Sequence, residues 1–165
     1  MADVYRQAAS ILLLRPSQVY APDGSSVVYD LLLLHKPRKH DAWQLPQGGI
    51  EEGETPLQAA LRELQEEASL TDCQVLGKSE KVYQYDFPNS FRRFRPDDVK
   101  GQRIVYVYAL APADTKVQVD QKEIDEFVWI RPSQLASYVR REQYLSLARS
   151  LYDEAAALAQ KIQKN

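Results

Sequence analysis

Apolar and polar positions follow two periods along this chain, and the switches between them mark its elements. Residues 8–14 are apolar except for Ser10 and end at Arg15-Pro16, which predicts a buried strand. Pro22-Asp23-Gly24-Ser25 predicts a turn, because proline presets one backbone angle and glycine accepts positive φ. Residues 27–34 form a second strand-like run, and the consecutive leucines Leu31 to Leu34 predict burial on both faces. A basic loop follows over residues 36–41. Trp43-Gln44-Leu45 then reads as a short extended piece before Pro46 and the pair Gly48-Gly49.

From Leu57 the period lengthens. Leu57, Ala60, Leu61, Leu64 and Ala68 recur at helical spacing and form one apolar stripe. Thr55 suits the N-cap, Pro56 the first helical position, and Gln58 completes a capping box with Thr55. Three β-like runs follow at 74–76, 81–87 and 103–110, with a polar, arginine-rich loop over 88–100 before the last. Residues 126–130 read as a further strand. From about Ser133 the chain reads as helix, and Tyr144, Ala148, Leu151, Ala155, Leu158 and Ile162 form a seam suited to docking on the body or on a partner. This order predicts mixed α/β packing, with the central helix over one face of a mixed sheet. With no linker or repeat, residues 1–165 read as a single domain, the stretch 133–163 serving as a docking element.

Composition narrows the function classes. A chain of 165 residues with 44% hydrophobic and 27% charged residues is too apolar to be disordered. A formal net charge of −2 excludes a nucleic-acid binder that relies on bulk positive charge. The single cysteine, Cys73, cannot close an internal disulfide. The opening residues lack the layout of a signal peptide, and no apolar run approaches the roughly 20 residues that span a bilayer. The expectation is a cytoplasmic protein with no membrane association and no obligate protein partner.

The chemistry concentrates on the central helix. Glu63, Glu66 and Glu67 fall within an arc of about 100° beside the apolar stripe. Like charges on one face repel, unless a cation sits among them. Magnesium, which takes hard oxygen ligands and recruits phosphate oxygens, is the natural candidate. Helical glutamates more often form a solvated face, and Arg62 can pair with Glu66 one turn on. Two neighbouring features shift the balance toward a site. Gly48-Gly49 permits close backbone approach to a ligand, and Glu54 stands within reach of Arg62.

Gly48, five residues, Glu54, seven residues, then Arg62-Glu63-Leu64-Gln65-Glu66-Glu67-Ala68-Ser69-Leu70 resembles the Nudix box at every motif position but one. Ser69 stands where the family has glycine. The resemblance implies a Nudix-type α/β/α sandwich with a mixed sheet, here with a long C-terminal helix. It further implies a metal-dependent hydrolase using Mg2+, with Mn2+ as a substitute. By that likeness Glu66 and Glu67 are metal ligands helped by the Gly48 carbonyl, and Glu63 is a ligand or the base for the attacking water. Glu54 and Arg62 form the buried pair that shapes the loop. Serine at 69 costs on the order of 1 kcal/mol if it keeps a left-handed geometry.

Trp43-Gln44-Leu45-Pro46-Gln47-Gly48-Gly49-Ile50 resembles the bacterial RNA pyrophosphohydrolases and the plant-type diadenosine tetraphosphate hydrolases. Tyr5-Arg6, Tyr85-Asp86-Phe87-Pro88 and Gly101-Gln102 fit the same group, which brings Arg6, Gln47 and Gln102 to the substrate. The segment from Glu123 to Trp129 resembles the one that adds a glutamate to the metals, with Glu123 the better candidate and Glu126 the alternative. Lys36, Arg38 and Lys39 can meet phosphate charge, or form a solvated loop. Tyr83 or Tyr85 can stack on a base, or pack. Arg92, Arg93 and Arg95 with Phe91 and Phe94 form a second basic-aromatic cluster. His35 and His40 show no ligand spacing and read as incidental.

The leading expectation is hydrolysis of a phosphoanhydride bond in a dinucleoside polyphosphate such as diadenosine tetraphosphate. Removal of pyrophosphate from the 5′ end of RNA is the close alternative, and diphosphoinositol polyphosphates are a more distant one. A Nudix-fold binding module without turnover is the reading from another class; the presence of Glu63, Glu66 and Glu67 weighs against it.

Overall fold

The computed structural model describes residues 4–17, 27–37, 42–88 and 99–163, with the side chain of Gln163 excepted. The turn expected at 22–25, the basic residues Arg38 and Lys39, and the cluster from Phe91 to Arg95 lie outside the described residues. So does His40.

Seven strands make one mixed sheet: β1 (Val4–Pro16), β2 (Tyr29–His35), β3 (Trp43–Gln44), β4 (Gln47–Gly49), β5 (Gln74–Asp86), β6 (Val99–Leu110) and β7 (Glu126–Ile130). Their order is β3-β2-β1-β6-β5, with β4 added to β1 and β7 to β2. β1 runs parallel to β6, and every other pair is antiparallel. β1 and β2 pair where Leu14, Arg15 and Pro16 face Leu31, Asp30 and Tyr29, and just beyond them Ser17 N–H donates to the Val28 carbonyl at 2.7 Å. Where they diverge, β4 pairs with β1 at Ala8, Ala9 and Ser10, and β3 pairs with β2 at Leu34 and His35. The chain between β3 and β4 is pinned in this split. Ile11 N–H and the buried Ser10 hydroxyl both donate to the Pro46 carbonyl, at 3.0 and 2.8 Å. The glycine pair is therefore held by strand pairing, where the sequence reads only a loop.

The period-2 alternation of β1 and β2 sends successive side chains to opposite faces. Leu12, Leu14, Leu31 and Leu33 join one core, and Ile11, Leu13, Leu32 and Leu34 the other. All of the Leu31–Leu34 side chains are fully buried, as the run of leucines predicts. α1 (Pro56–Ala68) closes the second core with Ala59, Ala60, Leu64 and Ala68. The C-terminal helix closes the first with Tyr144, Ala148, Leu151 and Ala155. The result is an α/β/α sandwich. No helix among the described residues is long and apolar enough to cross a membrane.

Three expectations need correction. The C-terminal stretch is not one helix from Ser133. A 3-10 turn (Pro132–Gln134) leads to α2 (Leu135–Tyr138), a break, and α3 (Glu142–Gln163). The break comes at Val139, which turns extended (φ −109°, ψ 118°) and is almost wholly buried. β5 is one strand where the sequence reads two, because register shifts between Val75/Gly77 and Lys78/Val82 absorb the irregular residues without ending the pairing. β1 begins earlier than expected, since β6 pairs with it from Val4 onward.

Candidate active site

α1 begins as its sequence dictates. Thr55 Oγ1 accepts from Gln58 N–H at 3.1 Å, and Gln58 Oε1 accepts from Thr55 N–H at 2.9 Å. This fixes the helix start and the loop before it. About two turns on, the Arg62 guanidinium gathers that loop. Its Nε and Nη2 donate to both oxygens of Glu54 at 2.7 and 3.0 Å, and Nη2 also donates to the Gly49 carbonyl at 2.9 Å. Nη1 donates to Glu63 Oε1 at 2.9 Å, with Glu66 at 3.4 Å. The fork geometry of arginine lets one residue hold two carboxylates and a backbone carbonyl. These bonds lower the Glu54 pKa and raise that of Arg62, so the pair stays charged.

The three box carboxylates have different surroundings. Glu66 is exposed, whereas Glu63 and Glu67 are 9% and 1% exposed. The Glu63 carboxyl lies against the Cα of Gly48, so close that a Cβ there would stand 2.0 Å from Glu63 Cδ. Glu67 Oε1 accepts from Gln47 N–H at 3.1 Å, but Oε2 is buried without a partner. Burial pushes the Glu67 carboxyl up to about 8, against the pull of Lys36 and with repulsion from Glu63 added. Burial also raises Glu63, although Arg62 opposes it. An orphaned carboxylate oxygen in a cluster of like charge fits a divalent cation, which would satisfy the oxygen and offset the repulsion.

Above these groups opens a cavity of about 480 Å³. Its lining includes the carboxylates Glu63, Glu66 and Glu123 with Gly48, the rings of Tyr83, Tyr85 and Tyr144, Ile104 and Gln102, and the cations Arg6, Lys36 and Arg141. The Arg6 guanidinium packs on Gly49, whose Cβ would meet Nη2 at 2.5 Å. Tyr83 and Tyr85 have ring centroids 5.6 Å apart, and Tyr83 meets Tyr144 edge-on at 6.0 Å. Tyr85 donates its hydroxyl to Gln102 Oε1 at 3.0 Å. The Tyr144 hydroxyl accepts from Leu45 N–H at 3.0 Å, which ties α3 to the chain before the glycines. Arg141 lies 5.3 Å from the Tyr144 ring centroid, in cation–π range.

Of the residues expected at the site, Arg6, Lys36, Gln47, Gly48, Glu63, Glu66, Tyr83, Tyr85, Gln102 and Glu123 line this cavity. Glu67 and Arg62 do not line it but bond to Gln47 and Glu63, which do, and Glu54 bonds to Arg62. Glu126, the alternative to Glu123, faces a separate groove of about 380 Å³ lined by Trp43, Phe127 and Tyr138. Gln44, Arg141 and Tyr144 were not expected there. Gln44 follows from alternation with Trp43 along β3, but Arg141 reaches the cavity only because α2 and α3 are separated at Val139. His35 lies outside this cavity. Its Nδ1 is 2.6 Å from Asp125 Oδ1, and with Glu126 the three offer ligand atoms within 4.8 Å of one another, beside the separate groove.

A family model described as the NUDIX domain matches residues 4–152. The chain belongs to the Nudix family. Among curated relatives, an RNA pyrophosphohydrolase of Legionella pneumophila (strain Paris) is 34% identical over 122 residues, covering 68% of this chain and 70% of the relative. One from Sulfurovum sp. (strain NBC37-1) is 32% identical over 138 residues, covering 76% and 88%. Among solved structures, a C. elegans Ap4A hydrolase binary complex superposes with a TM-score of 0.69 at 23% identity, covering 92% of this chain and 98% of that one. The E. coli dihydroneopterin triphosphate pyrophosphohydrolase gives 0.63 at 19% identity, covering 87% and 94%. These structural likenesses establish the shared sandwich, and the chain is a Nudix hydrolase.

Within this Nudix hydrolase, Ser69 keeps the left-handed geometry its family position demands, with φ 60° and ψ 33°. The strain has a local return: the Ser69 hydroxyl donates to the Gln118 carbonyl at 2.9 Å, a bond glycine cannot make.

Proposed function

We propose that this Nudix hydrolase cleaves a phosphoanhydride bond in a dinucleoside polyphosphate, of which diadenosine tetraphosphate is the type. One observation carries the reading: a single cavity is lined by carboxylates, by tyrosines and by the three cations Arg6, Lys36 and Arg141. A substrate matching that pattern has a polyphosphate chain and an attached base. Glu66 and Glu67, helped by the Gly48 carbonyl and by Glu123, would hold Mg2+, with Glu63 as a further ligand or the base. The cation held there would supply charge neutralisation for the phosphate chain.

The chain's own residues do the rest. Lys36, Arg6 and Arg141 bind phosphate oxygens that the cation leaves uncovered. Tyr83, Tyr85 or Tyr144 offers a face for base stacking, worth about 1–3 kcal/mol for each base. The water oxygen bonds to phosphorus, the bridging oxygen departs with the other phosphate group, and a box carboxylate accepts the proton. Arg62 and Glu54 touch none of the reacting atoms; they hold the loop and Glu63 in place.

The names of the Legionella and Sulfurovum relatives favour a second reading, removal of pyrophosphate from triphosphorylated RNA ends. The two readings separate in a competition between equal diadenosine tetraphosphate and 5′-triphosphorylated RNA with Mg2+, products resolved by chromatography. ATP and AMP appearing first support the dinucleotide. Dominant pyrophosphate and 5′-monophosphate RNA would replace that reading with the second.

A further inference from the structure

Glu123 reaches the cavity from the irregular segment between β6 and β7, not from a helix or strand. A carboxylate on a loop keeps a fixed position only if the backbone under it is held by other groups. Here it is held on both sides. Asp120 Oδ1 accepts from the backbone N–H groups of Lys122, Glu123 and Ile124, at 3.0, 3.1 and 2.9 Å. Gln121, inside this hook, takes φ 62°, and its N–H donates to the Ile124 carbonyl at 2.9 Å. The Ile124 side chain is fully buried in the core that α1 closes. Just upstream, Gln118 N–H donates to the Ala68 carbonyl at 3.0 Å, and the Gln118 carbonyl accepts from Ser69 Oγ. The loop carrying Glu123 is thus tied to the end of the helix carrying Glu63, Glu66 and Glu67.

We propose that Asp120 is a positioning residue for Glu123: its carboxylate gathers three successive N–H groups and so sets where Glu123 meets the cation. This rests on the reading of Glu123 as a metal ligand. Asp120 lines no part of the cavity. It acts through the backbone, and the Ser69–Gln118 bond is the second tie that couples the loop to the box helix.

The test uses Mn2+ alone, titrated without substrate and followed by electron paramagnetic resonance, with thermal melting run on each variant. Asp120→Ala and Glu123→Gln should each weaken Mn2+ binding by about tenfold, the scale of loss when a group supporting a metal ligand is removed. Asp120→Asn retains a side-chain oxygen acceptor and should bind within about threefold of wild type. The double variant Asp120→Ala/Glu123→Gln should bind no more weakly than Glu123→Gln alone, because Asp120 has no other route to the metal. Unchanged binding in Asp120→Ala beside weakened binding in Glu123→Gln would overturn the positioning role and leave the Glu123 reading standing. Additive losses in the double variant would also overturn the role. Unchanged binding in Glu123→Gln would remove Glu123 from the metal and the inference with it. Should Asp120→Ala not fold, Asp120→Glu, which moves the acceptor by one methylene, replaces it under the same criteria.

Discussion

Gly48→Ala is the smallest change that attacks the proposed chemistry directly. A Cβ on Gly48 would stand 2.0 Å from Glu63 Cδ and 2.1 Å from Oε1. The backbone cannot yield easily, because Gly48 is paired with Ala9 of β1 inside the split in the sheet. The Glu63 carboxyl must therefore retreat by roughly 1.4 Å before the contact becomes ordinary. A misplacement of about 1 Å in a catalytic group costs on the order of a hundredfold in rate. We expect kcat for diadenosine tetraphosphate to fall by about that factor, with KM nearly unchanged because the tyrosines and cations are untouched. Displacing a carboxyl bonded to Arg62 should also cost about 1 kcal/mol, or roughly 2–4 °C in Tm. Steady-state kinetics with Mg2+ and a melting curve decide it. A kcat within about threefold of wild type would refute the claim that this glycine seats the Glu63 carboxyl.

Gly49→Ala would meet only the end of the flexible Arg6 side chain, so it should raise KM more than it lowers kcat; the opposite split would show that Arg6 does not bind substrate. Arg141→Ala should raise KM about tenfold with little change in Tm, and an unchanged KM would remove it from phosphate binding. Glu67→Gln should lower kcat at least a hundredfold, and a near-normal rate would take Glu67 out of the metal shell. Because its folded pKa is raised from 4.5 to about 8, the stability associated with the Glu67 proton is present in full below pH 4.5 and is lost as pH rises through about 8. Melting in EDTA should therefore fall between pH 5.5 and 8.5 by an amount equivalent to a few kcal/mol, and Glu67→Gln should flatten that fall; equal slopes in the two proteins would disprove it. Ser69→Gly relieves about 1 kcal/mol of left-handed strain and loses one hydrogen bond of similar worth, so Tm should move by less than about 3 °C.

Local chemistry made much of this protein legible. The Thr55–Gln58 capping box is a matter of four adjacent residues, and it forms as read. The Leu31–Leu34 run implies two buried faces because a strand exposes side chains alternately to both, and two helical layers cover them. The box carboxylates share a helix, so their spacing alone brings them together, and the Glu54–Arg62 pair lies within reach of the same helix start. What the sequence could not supply depended on distant packing. Whether Glu63 and Glu67 are buried while Glu66 is exposed depends on how α1 sits on the sheet, which also sets the raised pKa of Glu67.

Glu123 lines the cavity and Glu126 the separate groove, a difference of position that their spacing in the sequence does not show. His35 looks isolated in sequence because its partners, Asp125 and Glu126, arrive from β7 and the residue before it, across the β2 pairing. Arg141 and Tyr144 join the site because Val139 leaves the helical path to fill the core, and no local signal marks that break. The capping box, the doubly buried leucine run, the family motif and the carboxylates that share one helix were legible along the chain, since those follow from neighbours within a few residues, whereas the break at Val139 and the continuity of β5 were not. The cavity's cations, its aromatic wall and the place of Glu123 emerge from the packing, because each brings together segments far apart in the chain.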